Sequence, residues 1–246
     1  SDLIILAARP AMGKTAFALS LALNAAVKGK ASVMVFSMEM AKEQLGQRLL
    51  SMESKVPMQS LKTGKLERRD WDDINIALDI LSKANIHIDD TAGINIMEMK
   101  SKCRRLKAEE GLDLIVIDYL QLMNPEGKAD SRTQEISVIS RNLKLLAKEL
   151  NCPVLVLSQL SRAPETRTDH RPMLSDLRES GSIEQDADIV IFLYRDEYYN
   201  EDSEAHGECE VIVAKQRSGP TGTVKITWLD KLTKFVDSMG SSGPGF

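Results

Sequence analysis

The chain has 246 residues, 43% of them hydrophobic and 4% aromatic, with a formal net charge of −4 and a pI near 5.6. This length suits one large α/β domain with a core of Leu, Ile, Val, Ala and Met, and the acidic balance excludes a protein that coats duplex DNA by bulk charge, so any nucleic-acid contact must come from local loops. Three scattered cysteines (Cys103, Cys152, Cys209) without a CxxC pair argue against a disulfide framework or a zinc site and for a reducing cytoplasm, and neither a signal peptide nor an apolar run near the roughly 18 residues of a membrane span is present.

Taken in chain order, Leu3 to Ala7 reads as a buried parallel strand. Ser1 stands just ahead of it, which predicts missing upstream sequence. Lys14 to Val27 has helical spacing, with Phe17, Leu21 and Ala25 recurring at one face. Ser32 to Ser37 is a strand and Lys42 to Met52 a helix. Arg68 to Ala84 places Trp71, Ile74, Leu78 and Leu81 at the spacing of an amphipathic helix. A strand at Ile86 to Ile88 precedes a helix from Ile96 to Glu109, with Asn95 as N-cap and Glu98 three residues on to complete the capping box. The basic run Lys100, Lys102, Arg104, Arg105 and Lys107 within that helix reads as a solvated face.

Leu114 to Ile117 is the most strand-like run, followed by a helix from Gln134 to Leu150 and a strand from Val154 to Leu157. Ile189 to Leu193, Glu210 to Ala214, Val224 to Trp228 and Phe235 to Val236 then read as strands with no helix between them. Early strand–helix alternation followed by a run of strands predicts an α/β fold: a mainly parallel twisted sheet flanked by helices, with an antiparallel C-terminal extension. Residues 1–238 form the expected domain. The Gly- and Ser-rich tail, Met239 to Phe246, reads as a flexible end or an engineered remnant. Two polar stretches, Asn124 to Arg132 and Ser161 to Arg171, follow parallel strands, at the carboxyl edge where open α/β sheets bind ligands.

The chemistry begins between the first strand and first helix. Ala8-Arg9-Pro10-Ala11-Met12-Gly13-Lys14-Thr15 fits the phosphate-binding loop GxxxxGK[ST], except that Ala8 replaces the first glycine. That exchange is harmless if Ala8 keeps negative φ. Successive N–H groups and the helix N-terminus make an anion nest; Lys14 would reach the β- and γ-phosphates and Thr15 would ligate Mg²⁺. Asp118 ends the apolar run Leu114 to Ile117 and is the expected second Mg²⁺ element. Glu39 ends the second strand; if that strand neighbours the first, its carboxylate lies near the γ-phosphate and could deprotonate the attacking water. Gln159 ends another core strand and could sense the γ-phosphate. The bland alternatives are a helix N-terminal acid at Glu39 and a plain loop glutamine at Gln159.

Further stretches join these motifs: Ile117-Asp118-Tyr119-Leu120-Gln121-Leu122, Leu157 to Arg162, Asp176 to Asp188 and Ala214 to Pro220. Together with Ala8 to Thr15 they resemble the DnaB family of bacterial replicative helicases over about Leu3 to Val236. The Arg178–Asp188 and Lys215–Pro220 blocks are the specific part of this likeness, and the alanine at position 8 also occurs in the family. The resemblance implies a RecA-like core, a homohexameric ring in the intact protein, and ATP bound between subunits. It implies 5′-to-3′ movement on single-stranded DNA at the replication fork in the cytoplasm, with no membrane association. Lys215 and Arg217 would act in trans on a neighbour's γ-phosphate, although Gly219-Pro220 also reads as a solvated hairpin turn. Arg178, Glu179 and Gly181 would lie near DNA. Arg162, Arg167, Arg171 and Arg178 cluster in one segment and could hold phosphates without reading sequence; no aromatics interleave there, so stacking is not the expected grip. An N-terminal collar domain and docking linker, absent from this sequence, and primase and loader contacts belong to the intact protein. Two other classes remain at this point, a filament-forming recombinase with the same nucleotide fold and a small-molecule kinase.

Overall fold

A computed structural model describes residues 1–120, 123, 131–200 and 202–238. Gln121, Leu122, most of the Asn124–Arg132 stretch and the tail from Met239 therefore lie outside the described residues.

The elements follow the expected alternation. Strand β1 (Leu3–Ala8) leads into helix α1 (Lys14–Val27), β2 (Val33–Ser37) into α2 (Lys42–Ser54), α3 (Met58–Thr63) and α4 (Arg68–Ser82), and β3 (Ile86–Asp89) into α5 (Ile96–Glu109). Next come β4 (Leu114–Asp118), α6 (Arg132–Leu150), β5 (Val154–Gln159), a short α7 (Gly181–Asp186) and β6 (Ile189–Tyr194). Strands β7 (Glu208–Gln216), β8 (Gly222–Leu229) and β9 (Lys234–Asp237) close the domain.

One sheet runs in the order β3-β2-β4-β5-β1-β6-β7-β8-β9. Strands β3 to β6 in that order are parallel and β7 to β9 antiparallel, the mixed sheet that the sequence pattern predicts. The central parallel strands β1, β2, β4 and β5 are buried on both faces, which is why they read as continuous apolar runs. One core lies under α5, α6 and α7 and contains Leu3, Ile5, Phe36, Ile117 and Leu143. The other lies under α1 and α2 and contains Leu6, Phe17, Leu19, Leu49 and Leu157.

Several sequence expectations change. Strand β2 does not neighbour β1, because β4 and β5 stand between them. Helix α1 is buried almost all round, through Ala16 to Ser20, Ala22, Leu23 and Ala26, while Leu21 is 40% exposed. On α4 only Ile74 and Ala77 are buried, and Trp71 and Leu78 face outward at 55% and 49% exposure. Asn95 caps α5 by accepting from the Glu98 amide at 2.9 Å, but the Glu98 carboxylate goes to Lys102, at 3.0 Å. The basic run on α5 is the solvated face expected of it: Lys102 also pairs with Asp89 and Arg104 with Glu149, while Met99, Cys103 and Leu106 turn inward. All three cysteines are buried, and burial pushes the Cys103 and Cys209 thiols up to about 12 and Cys152 to about 11, so they behave as small apolar residues. Among the described residues no helix is long and apolar enough to cross a membrane.

Candidate nucleotide site

The carboxyl ends of the parallel strands converge on one cavity of about 380 Å³. Register explains how. Ala8 pairs with Gln159, Ser37 with Asp118, and Ile117 with Val156, so four strand ends stop within about two residues of one another. Ala8 is extended, as the missing first glycine requires. Beyond it the chain turns, with Met12 N donating to Arg9 O at 3.4 Å. Ala11 at φ 63° and Gly13 at φ 95° are left-handed, and Gly13 is the N-cap of α1, so the loop ends at a helix N-terminus, whose unpaired N–H groups favour an anion. Gly13 is required twice over. Its φ is left-handed, and a Cβ there would stand 3.0 Å from the Phe235 ring. Pro10 and Ala11 line the cavity, whereas the Met12 side chain is buried in the α1 core and leaves only its backbone to the loop.

Lys14 is half-buried in the cavity lining, and its Nζ donates to Ala8 O at 3.1 Å. Burial pulls its pKa down to about 8, against the opposing pull of Asp118 and Glu39. Asp118 is 4% exposed, and its Oδ2 accepts from Thr15 Oγ1 at 2.7 Å. Burial raises the Asp118 pKa and Glu39 adds to the rise; the Thr15 hydroxyl, Lys14 and Arg48 oppose it. Glu39 reaches the same cavity even though its strand is not next to β1. Met38 N continues the β2–β4 pairing by donating to Asp118 O at 2.8 Å. Ser37 then curls the chain, its hydroxyl donating to Met40 O at 2.7 Å, and Glu39 is carried beyond the strand ends toward Lys14. Gln159, at the exposed end of β5, completes that wall.

Sequence reasoning missed six lining residues: Ala16, Met40 and Tyr119, each next to one it named, and Arg48, Trp228 and Thr233, which are remote from them. Arg48 sits on α2 beside the buried positions Leu45, Leu49 and Met52, and burial lowers its pKa against the pull of Asp118 and Glu39. The available signal was a lone arginine at the edge of the buried face of a helix that starts just past Glu39. Trp228 and Thr233 lie more than two hundred positions from the loop and carried no signal. They arrive because Phe235 packs edge-on to Phe17 and Trp228 packs against Phe235, with ring centroids 5.6 and 4.6 Å apart.

Lys215 and Arg217 do not join this cavity. Ile4 pairs with Ile189, and Val190 with Lys215, which puts both basic residues at the opposite, amino edge of the parallel strands. There Lys215 Nζ donates to Glu184 O and Ala187 O at 2.6 and 2.9 Å, and Arg217 Nη2 to Gln185 O at 2.7 Å, both at the C-terminal end of α7. The arginine cluster is also partly committed. Arg167 pairs with Asp176, and Arg171 makes two bonds to Glu210, at 2.8 and 2.5 Å, while lying 5.0 Å over the Tyr194 ring. Arg162 is exposed and makes no ion pair among the described residues. Arg178 and Glu179 fall in the 3₁₀ stretch Leu174–Ser180 and Gly181 opens α7, but their side chains lie outside the described residues. Aromatics do stand beside the segment, since His170 stacks on Tyr199 at 4.4 Å beside Tyr194 and Tyr198; the tyrosines come from the last residue of β6 and the turn after it, which the linear sequence hid.

With this geometry in place, comparison with known proteins decides the family. The model of the DnaB-like helicase C-terminal domain matches residues 1–237. The chain belongs to the DnaB-like helicase C-terminal domain family. The replicative DNA helicase DnaB of Geobacillus stearothermophilus is 56% identical over 96% of this chain and 52% of its own length. The chain thus spans about half the length of the curated relatives it matches. A solved ATPase domain superposes with a TM-score of 0.93 at 45% identity, covering 96% of this chain and 84% of that one. A DnaB-like replicative helicase, whose structure was described with its interactions with primase, superposes at 0.92 and 45% identity over 96% of this chain and 57% of its own. The sheet described above is therefore the RecA-like core of the family.

Proposed function

We propose that this chain is the ATP-hydrolysing motor of a replicative DNA helicase, which works as a homohexameric ring moving 5′ to 3′ on single-stranded DNA at the cytoplasmic replication fork. The observation that carries this reading is the meeting of Lys14, the Thr15–Asp118 pair, Glu39 and Gln159 around one cavity at the loop-and-helix anion nest. Triphosphate charge would displace Lys14 from Ala8 O and draw it to the β- and γ-phosphates. The Thr15 hydroxyl and the buried Asp118 carboxylate form a two-ligand oxygen set that suits Mg²⁺, which keeps several waters and phosphate oxygens of its own. A divalent cation held there would neutralise charge on the transferring phosphoryl group. Glu39 would take the proton of the attacking water, Gln159 would hydrogen-bond the γ-phosphate, and Arg48 adds a desolvated positive charge to the same wall.

Lys215 and Arg217 are proposed to complete a neighbour's site. Their own loop stands about four strand residues away, roughly 13 Å along the sheet, so service in cis has little geometric support. DNA contact is assigned to Arg162, Arg178, Glu179 and Gly181. Primase is proposed as a partner by likeness to the solved relative, and a helicase loader by family resemblance.

The test is ATP hydrolysis with and without single-stranded DNA on a chain restored at its N-terminus. DNA-stimulated turnover by closed rings under electron microscopy supports the helicase. Filaments would transfer the reading to a recombinase, and turnover indifferent to DNA but dependent on a small acceptor would transfer it to a kinase.

A further inference from the structure

Arg9 belongs to the phosphate-binding loop, yet most of its hydrogen bonding goes elsewhere. Its side chain is only 10% exposed. Nη1 donates to Leu160 O at 2.8 Å, while Nε and Nη2 both donate to Glu165 Oε1, at 3.0 and 2.5 Å. One guanidinium thus grips the chain just after Gln159 and again five residues on.

The segment it grips is a compact unit. Ala163–Thr166 is a 3₁₀ turn, closed by Glu165 N donating to Arg162 O at 3.0 Å. His170 Nδ1 is 3.0 Å from Pro164 O, and the ring of His170 is stacked on Tyr199. Ser161 N donates to Asp176 O at 3.1 Å. Arg162 therefore rides on the same turn as Glu165, and a displacement of one is transmitted to the other by a backbone hydrogen bond.

We propose that Glu165 is a positioning residue that couples DNA held by Arg162 to the phosphate-binding loop through Arg9. The inference rests on the reading of Arg162 as a DNA contact and deepens it. The route is distinct from Gln159, because it enters the loop at its first residue after β1 instead of at the γ-phosphate. A phosphate drawing on Arg162 shifts the 3₁₀ turn; Glu165 shifts with it; Arg9, and with it the turn closed by its carbonyl, is repositioned. Glu165 itself touches no phosphate and is 45% exposed, so its removal leaves the nucleotide cavity built.

The experiment uses the full-length, ring-forming chain carrying Glu165→Ala, with Glu165→Gln as the shape-preserving second variant. DNA-free ATPase, nucleotide affinity and oligonucleotide affinity should stay within about twofold of the parent. The factor by which oligo-dT stimulates ATPase should fall about five- to tenfold in Glu165→Ala, the change expected for a contacting pair of ordinary coupling strength, and by less in Glu165→Gln, which retains a hydrogen-bond acceptor. Adding Arg9→Ala to Glu165→Ala should lower the stimulation factor no further than Arg9→Ala alone, because the two act along one route. Full stimulation in both Glu165 variants overturns the proposal. So does an equal fall in DNA-free and DNA-stimulated turnover, which would mark simple support of the loop, or a loss of DNA affinity, which would make Glu165 part of the DNA contact. Absence of stimulation in the parent chain would instead strike the helicase reading itself.

Discussion

Lys14 shows how burial and function pull against each other in one side chain. Its ammonium is held near a pKa of about 8, below the ordinary 10.5, because the cavity lining strips it of water. The free protein therefore pays for this charge at neutral pH, and that destabilisation is relieved as pH climbs from about 8 to 10.5. Nucleotide affinity has the opposite sign. Phosphates favour the ammonium, so binding above pH 8 takes up a proton, and affinity should fall by about tenfold per pH unit there. Titration calorimetry at pH 8.5 in two buffers of different ionisation enthalpy should show that uptake, and identical heats in both would refute it. Lys14→Ala should abolish nucleotide binding or turnover at every pH. Glu39→Gln keeps the size and polarity of the side chain and loses only the capacity to accept a proton. It should bind nucleotide normally and lose turnover by on the order of 10²- to 10⁴-fold; retained multiple turnover would remove Glu39 from the role of base.

The loop between β1 and α1 makes its prediction at the level of the element. Gly13→Ala meets two separate obstacles, a left-handed φ of 95° and the Phe235 ring 3.0 Å from the new methyl. The backbone term alone is on the order of 1–3 kcal/mol. Phe235→Leu would relieve the collision and leave φ untouched, so the double variant should recover only part of the melting temperature and nucleotide affinity lost in Gly13→Ala. Full recovery would mean that φ at 13 is not a constraint. The same elements show what a linear reading reaches. The strand–helix alternation, the phosphate loop and Asp118 at the end of β4 were all legible, because each is fixed by local pattern. Strand order is not: the pattern brings Glu39 to the γ-phosphate only if β2 neighbours β1, a condition that β4 and β5 break, and Glu39 reaches the cavity by the Ser37 curl instead. Helical spacing found α4 but not the face it buries, since periodicity reports a stripe without saying what covers it. The six-residue helices α3 and α7 are too short to show a period. Arg48 and Trp228 needed tertiary structure to be seen.

At the scale of the whole molecule, the separation between the two halves of the chemistry decides what to expect. The phosphate loop is at the carboxyl edge of the parallel strands; Lys215 and Arg217 are at the amino edge, bonded to the carbonyls that end α7. If Lys215 and Arg217 complete a neighbour's site, as proposed, the chain carries an acceptor on one side and a donor on the other, a head-to-tail arrangement that gives a ring where the rotation closes. A subunit carrying Arg217→Ala should then be defective only as donor, by on the order of 10³-fold or more in turnover, with its own phosphate loop competent. A Lys14→Ala subunit has the reverse defect. Mixing the two in a ring-forming chain leaves some interfaces with an intact loop facing an intact Arg217, and those should recover part of the ATPase that neither parent has. If every mixing ratio stays as inactive as the parents, either Arg217 works in cis or the ring needs all its sites in concert. Subunits carrying both changes, diluted into wild type, separate these outcomes. Under action in trans, activity declines gradually, because adjacent wild-type pairs still turn over. In a fully concerted ring a single doubly changed subunit silences the whole assembly, and activity collapses at low doping.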